Sequence, residues 1–122
     1  MCANTIPSMD TMPAMTLVFT TVDTESAAQA LAQRVISQHL AACVHIECIH
    51  SLYRWQGALQ NTPEFRLMAK TTPQRAGEVH NTWKAAHPYE VPAIWSVQAQ
   101  VLDPAYAQWL TEECQGGQAP RA

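Results

Sequence analysis

At 122 residues, 48% hydrophobic and 14% charged, the chain has the length of one compact domain and an apolar content that excludes disorder throughout. Its formal net charge is −3 and its seven Lys and Arg are scattered singly, which argues against a nucleic-acid footprint or a polybasic membrane contact. No apolar run is long enough to cross a bilayer as a helix.

The first fourteen residues hold Thr, Ser, Asn, two prolines and Met1, Met9 and Met12, with no Lys or Arg, and read as a disordered leader rather than a signal peptide. Residues 115–122, opening on Gln115-Gly116-Gly117, read as a disordered tail, which confines folding to residues 15–114. Met15 to Val22 is a β-rich run. Asp23 or Thr24 then caps a helix whose stripe is Ala28, Leu31, Ala32, Val35 and Ile36.

From Ala42 to Trp55 fourteen residues pass without glycine or proline. A continuous strand of that length spans about 45 Å at roughly 3.3 Å per residue. A domain of about 100 residues is only roughly 30–35 Å across. The end that must protrude carries Ser51, Leu52, Tyr53 and Trp55, so it is expected to be buried against another copy of the chain. The run ends at Gln56-Gly57-Ala58, and after the polar stretch Asn61, Thr62 and Pro63 a second strand is predicted over Glu64–Lys70, completing a long hairpin.

Thr72 followed by Pro73 predicts an N-cap and first helical position, ahead of a stripe of Ala76, Val79, Trp83 and Ala86 that Pro88 stops. Ala93–Val101 is the fourth strand. Asp103-Pro104 opens a last short helix with Tyr106, Trp109 and Leu110. With right-handed crossovers this order predicts an α+β, ferredoxin-like βαββαβ sandwich, with an extended hairpin joining its second and third strands and a C-terminal helix. Both main helices then share one sheet face. The last helix can cover only part of the other, which makes a second demand for a partner subunit.

Cys2, Cys43, Cys48 and Cys114 in a chain without a signal peptide read as reduced thiols of a cytosolic protein. Cys43, His45, Cys48 and His50 form C-x-H-x-x-C-x-H, with ligands suited to copper or zinc. Strand parity places the first pair and the second on opposite faces. The apolar phase changes from Val44, Ile46 and Cys48 to Ile49, Tyr53 and Trp55, as a bulge near Cys48 would produce, and only such a bulge would unite the four. Cys43 otherwise reads as a small buried hydrophobe. The methionines at 1, 9, 12 and 15 could serve as thioether ligands for Cu(I), but their spacing is irregular and a polar leader accounts for them. There is no G-x-S-x-G, no glycine-rich phosphate loop and no H-E-x-x-H, so catalysis is not expected.

Leu40-Ala41-Ala42-Cys43-Val44, Ser51-Leu52-Tyr53-Arg54-Trp55-Gln56-Gly57, Glu64, Lys70-Thr71-Thr72, His87-Pro88-Tyr89-Glu90-Val91-Pro92 and Tyr106 with Trp109-Leu110 follow one another through residues 15–114. In that order they resemble the CutA family of divalent-cation tolerance proteins. The resemblance implies a trimer built by edge-to-edge packing of the long hairpins and similar to the PII signalling proteins. It also implies a cytoplasmic location and a role in tolerance to copper and other divalent metals.

For a metal, the candidate ligands are Cys43, His87 and Glu90; for a cleft between subunits, Arg54, Trp55, Glu64, Lys70, His87 and Tyr89 supply a cation, an imidazole, a phenol and a carboxylate. The same groups can instead tie loops down, with Lys70 and Glu64 as an interface salt bridge. Three readings stand: a trimeric metal-binding or metal-responsive protein, a PII-like module for a small anionic effector, and a structural scaffold without a ligand. No metal is expected to be needed for folding, and no nucleic acid or membrane partner is expected.

Overall fold

The computed structural model describes residues 13–115. The predicted leader and tail, with Met1, Met9, Met12 and Cys2, therefore lie almost entirely outside the described residues. Seven elements follow in order: β1 (Ala14–Val22), α1 (Glu25–Ser37), β2 (Cys43–Trp55), β3 (Ala58–Thr71), α2 (Ala76–Ala86), β4 (Ile94–Gln100) and α3 (Pro104–Glu113). The strands form one antiparallel sheet in the order β2-β3-β1-β4, as the ferredoxin-like reading requires.

Alternation along the strands divides the side chains between two faces. On one, Val18, Val22, Leu67 and Ala69 pack with Ala28, Leu31, Ala32 and Val35 of α1 and Val79 and Trp83 of α2 into a single core. Trp83 is fully buried, and its Nε1–H donates to the Leu31 carbonyl at 3.0 Å, tying the two helices together. The other face carries Leu17, Phe19, Met68, Lys70, Trp95 and Val97, with Phe19 stacked on Trp95 at 4.2 Å. α3 reaches this open face where the Lys70 ammonium lies 5.8 Å from the Tyr106 ring. Trp95 and Val97 stay about half exposed (50% and 45%).

Thr24 caps α1, accepting from the Ala27 amide at 3.1 Å, and Asp103 caps α3, with Pro104 in its first turn. The α2 expectation is corrected. The amides of Arg75 and Ala76 both bond the Thr72 carbonyl, so residues 72–75 form a turn and the helix begins at Ala76 without a side-chain cap.

β3 is also longer than expected, running from Ala58 straight through Asn61, Thr62 and Pro63. Proline is tolerated there because β1 ends at Val22 opposite Phe65, leaving β3 partnered on one side only. The β2–β3 register is unbroken from Cys43↔Lys70 to Trp55↔Ala58, so there is no bulge near Cys48. Cys43 and His45 share the open face, and Cys48 and His50 lie on the helix face. The apolar phase change has another cause. Val44 and Ile46 pack under the helices, but beyond them the helix layer ends and Cys48, His50 and Leu52 are exposed.

Seven residue pairs, Ile49↔Glu64 to Trp55↔Ala58, therefore stand beyond the sheet as a two-stranded arm. Gln56 and Gly57 close it with φ of 51° and 81°, both in the left-handed region that a two-residue hairpin turn requires. Gly57 meets this at no steric cost; Gln56 does not. Gln56→Asn is expected to raise stability by about 0.5 kcal/mol, seen as a higher thermal midpoint, because Asn tolerates that region better. An unchanged midpoint would count against strain at this turn.

Candidate functional site

The base of the arm, the end of β1 and the α2–β4 connection converge on a pocket of about 570 Å³ lined by Thr21, Tyr53, Trp55, Glu64, Pro88, Tyr89, Glu90, Val91 and Ala93. The hairpin turn fixes the register that sets Tyr53, Trp55 and Glu64 on the same face. Glu64 is only 6% exposed, and the Tyr89 hydroxyl donates to its Oε2 at 2.5 Å. Burial and that bond to the carboxylate push the Tyr89 pKa up, so the phenol stays protonated and keeps donating. A larger groove of about 840 Å³ lies between α1 and β2, but its walls are aliphatic and amide side chains with Arg34 and Ser37, and no carboxylate enters it.

His87 anchors the pocket's loop in one protonation state. Thr20 spends its hydroxyl proton on the Ala93 carbonyl at 2.8 Å, so at 2.9 Å from His87 Nε2 it must accept. On the other side the Tyr89 amide donates to Nδ1 at 3.1 Å. The ring is therefore the neutral Nε2–H tautomer, with its one lone pair in use. Burial lowers the His87 pKa in the same sense, against opposing contributions from a backbone hydrogen bond at Thr21 and the charges of Asp23 and Glu64.

A lowered pKa means that the folded chain binds fewer protons than the unfolded chain near pH 6.5, so this group's stabilisation is complete above that pH and is lost as pH falls through the folded value. The thermal midpoint is expected to drop between about pH 7 and pH 5, with a smaller drop in His87→Gln. Equal drops in the two proteins would show that His87 is not responsible. Burial raises the Cys114 pKa, so its contribution has the opposite sign and is lost only toward alkaline pH.

The structure unites part of the sequence-predicted set. Trp55, Glu64 and Tyr89 line one pocket, and His87 holds the loop that carries Tyr89. Arg54 alternates to the other face of the arm, and Lys70 sits six residues from Glu64 along β3, by Tyr106, so neither lines the pocket. Glu90 does line it.

A single chain does not bring Cys43, His87 and Glu90 of the metal set together. Cys43 is on the open face beside Lys70, whereas His87 meets Thr20 on the helix face with both ring nitrogens engaged. Among the described residues no three His, Cys, Asp or Glu side chains converge as a metal group. Ser51 and Tyr53 lie on the open-face side of the arm with Trp55, and Leu52 lies on the other side. The sequence reading assigned Tyr53 to an interface alone and overlooked Thr20 and Thr21. Counting alternate residues back from the Gln56-Gly57 turn would have put Tyr53 with Trp55 and Glu64.

A protein-family model described as "CutA1 divalent ion tolerance protein" matches residues 16–113. The chain belongs to this CutA1 family. The divalent-cation tolerance protein CutA of Thermus thermophilus is 36% identical over 97 residues, covering 79% of this chain and 94% of that protein. Among solved structures, CutA from Synechococcus elongatus has a TM-score of 0.76 and 36% identity, covering 84% of this chain and 91% of the other. The periplasmic divalent cation tolerance protein CutA from Archaeoglobus fulgidus has a TM-score of 0.79 and 28% identity, covering 82% and 98%. Membership of the CutA1 family agrees with the resemblance read from the motifs, and these structures share the fold described above. The relatives are named for tolerance to divalent cations and not for a reaction.

Proposed function

We propose that the chain is a homotrimeric divalent-cation tolerance protein, serving copper among other metals. Each arm completes the Glu64–Tyr89 pocket of a neighbouring copy, and the cation is held there. The observation that carries this reading is the sign of the pocket. Glu64 and Glu90 line it and Asp23 lies close enough to act on both His87 and Tyr89, while Arg54 and Lys70 are elsewhere. Two carboxylates and a phenol suit a hydrated cation. An anionic effector of the PII type would need its positive charge from a neighbouring copy.

A cytoplasmic location belongs to the same proposal, supported by the free thiols of Cys43, Cys48 and Cys114. Calorimetry with Cu(II) and Zn(II) tests the cleft. Glu64→Gln is expected to abolish binding there, and Tyr89→Phe to weaken it by about 10–100-fold, as loss of an outer hydrogen-bond partner does. Binding unchanged in both variants would refute the cation reading.

A further inference from the structure

Apart from the cleft, the cross-strand register gathers three soft donors at the opposite end of the hairpin. His45 of β2 lies directly across from Met68 of β3, and Cys43 is two residues before His45 on the same open face, diagonal to Met68. Directly opposed residues have Cβ atoms about 4.5–5.5 Å apart and diagonal ones roughly 7–8 Å. A thiol, an imidazole and a flexible thioether can span such gaps to donors about 2.0–2.3 Å from one ion. Cys43 is a free thiol, and within the single chain Cys43 and Met68 are half-buried and His45 is exposed.

We propose that Cys43, His45 and Met68 form a three-coordinate site for Cu(I). Thiolate and thioether ligands select Cu(I), and a thioether adds little for a harder divalent ion. Binding replaces the Cys43 S–H bond with an S–Cu bond and releases the proton to solvent; the copper arrives as Cu(I), so no electron is transferred. The charge also balances. One thiolate neutralises a singly charged ion, whereas Zn(II) would leave a positive centre beside the Lys70 ammonium, whose residue pairs directly with Cys43. Phe19 follows Met68 in the same row, stacked on Trp95, and gives the thioether an apolar wall. Cys48 and His50 repeat the Cys and His spacing on the opposite face, but their partners there are Phe65 and Pro63, so that pair lacks a sulfur neighbour.

The test is anaerobic titration of the full chain with Cu(I) against a chromophoric Cu(I) chelator, with X-ray absorption on the loaded protein. One Cu(I) per chain is expected, bound by two sulfurs and one nitrogen. Met68→Leu preserves the volume of the side chain, so the fold is retained. It is expected to lower Cu(I) affinity on the order of tenfold while leaving Zn(II) affinity unmoved. Cys43→Ser is expected to abolish the site, and Cys2→Ser and Cys48→Ser to leave it intact. Unchanged Cu(I) affinity in Met68→Leu, or retained binding in Cys43→Ser, would overturn the assignment. Glu64→Gln is expected to leave Cu(I) affinity unchanged, so failure of the cleft reading and failure of this one are distinguishable.

Discussion

Trp83→Ala is expected to destabilise the fold by about 3–5 kcal/mol, enough to lower the thermal midpoint by roughly 10 °C or more. Trp83 is fully buried at the seam where α2 meets α1 and the sheet, and close packing leaves its neighbours little freedom to collapse into the space. The indole also carries the 3.0 Å bond to the Leu31 carbonyl, so truncation removes volume and a polar link between the helices together. Ile36→Ala is the contrast. Ile36 belongs to the same helical stripe in sequence but is 40% exposed, and its truncation should cost under about 1 kcal/mol. Denaturant unfolding at fixed protein concentration measures both, and similar losses in the two variants would contradict this account of the core.

The second large effect is on assembly. Tyr53 and Trp55 are 42% and 45% exposed on the arm, outside the helix layer that stabilises the subunit. Burial of a large apolar side chain contributes about 1.5–3 kcal/mol. Replacing both with Asp should therefore cost each interface about 3–6 kcal/mol, or roughly 10²–10⁴ in its dissociation constant, before any charge repulsion is counted. Native mass spectrometry is expected to show three chains for the parent and one for Tyr53→Asp/Trp55→Asp, with the far-ultraviolet circular dichroism of the sheet and helices kept. A three-chain mass in the double variant would mean that the arm does not build the assembly.

The order of elements was legible because each was marked by strong local chemistry: the helical stripes of α1 and α2, the caps at Thr24 and Asp103, and the turn at Gln56-Gly57. Two boundaries and one expected bulge were misread where tertiary context decides. Pro63 looked like a loop residue, yet the loss of β1 as a neighbour leaves it a tolerable place in a strand. Thr72-Pro73 looked like a cap, but the chain uses the Thr72 carbonyl to turn before α2 starts. The change of apolar parity near Cys48 looked like an inserted residue, whereas it marks the limit of the helix layer. At the candidate site, Trp55, Glu64, Tyr89 and His87 could be named from their chemistry. Alternation with Trp55 along β2 separates Arg54 from this group, but the exclusion of Lys70 and the approach of Tyr89 could not be read, since they depend on where the loop after α2 folds back against β3.

Pro63 has a consequence for how copies of the chain can add to one another. The arm presents two bare strand edges, that of β2 along its whole length and that of β3 beyond Phe65. Two receptive edges on one ribbon would let subunits stack without end into a filament. The proline removes one amide donor from the β3 edge, so a strand arriving there meets an interrupted ladder, while the β2 edge offers every amide it has. The ribbon is thus polarised into an adhesive margin and a blunted one, a bias toward small closed rings over fibre growth.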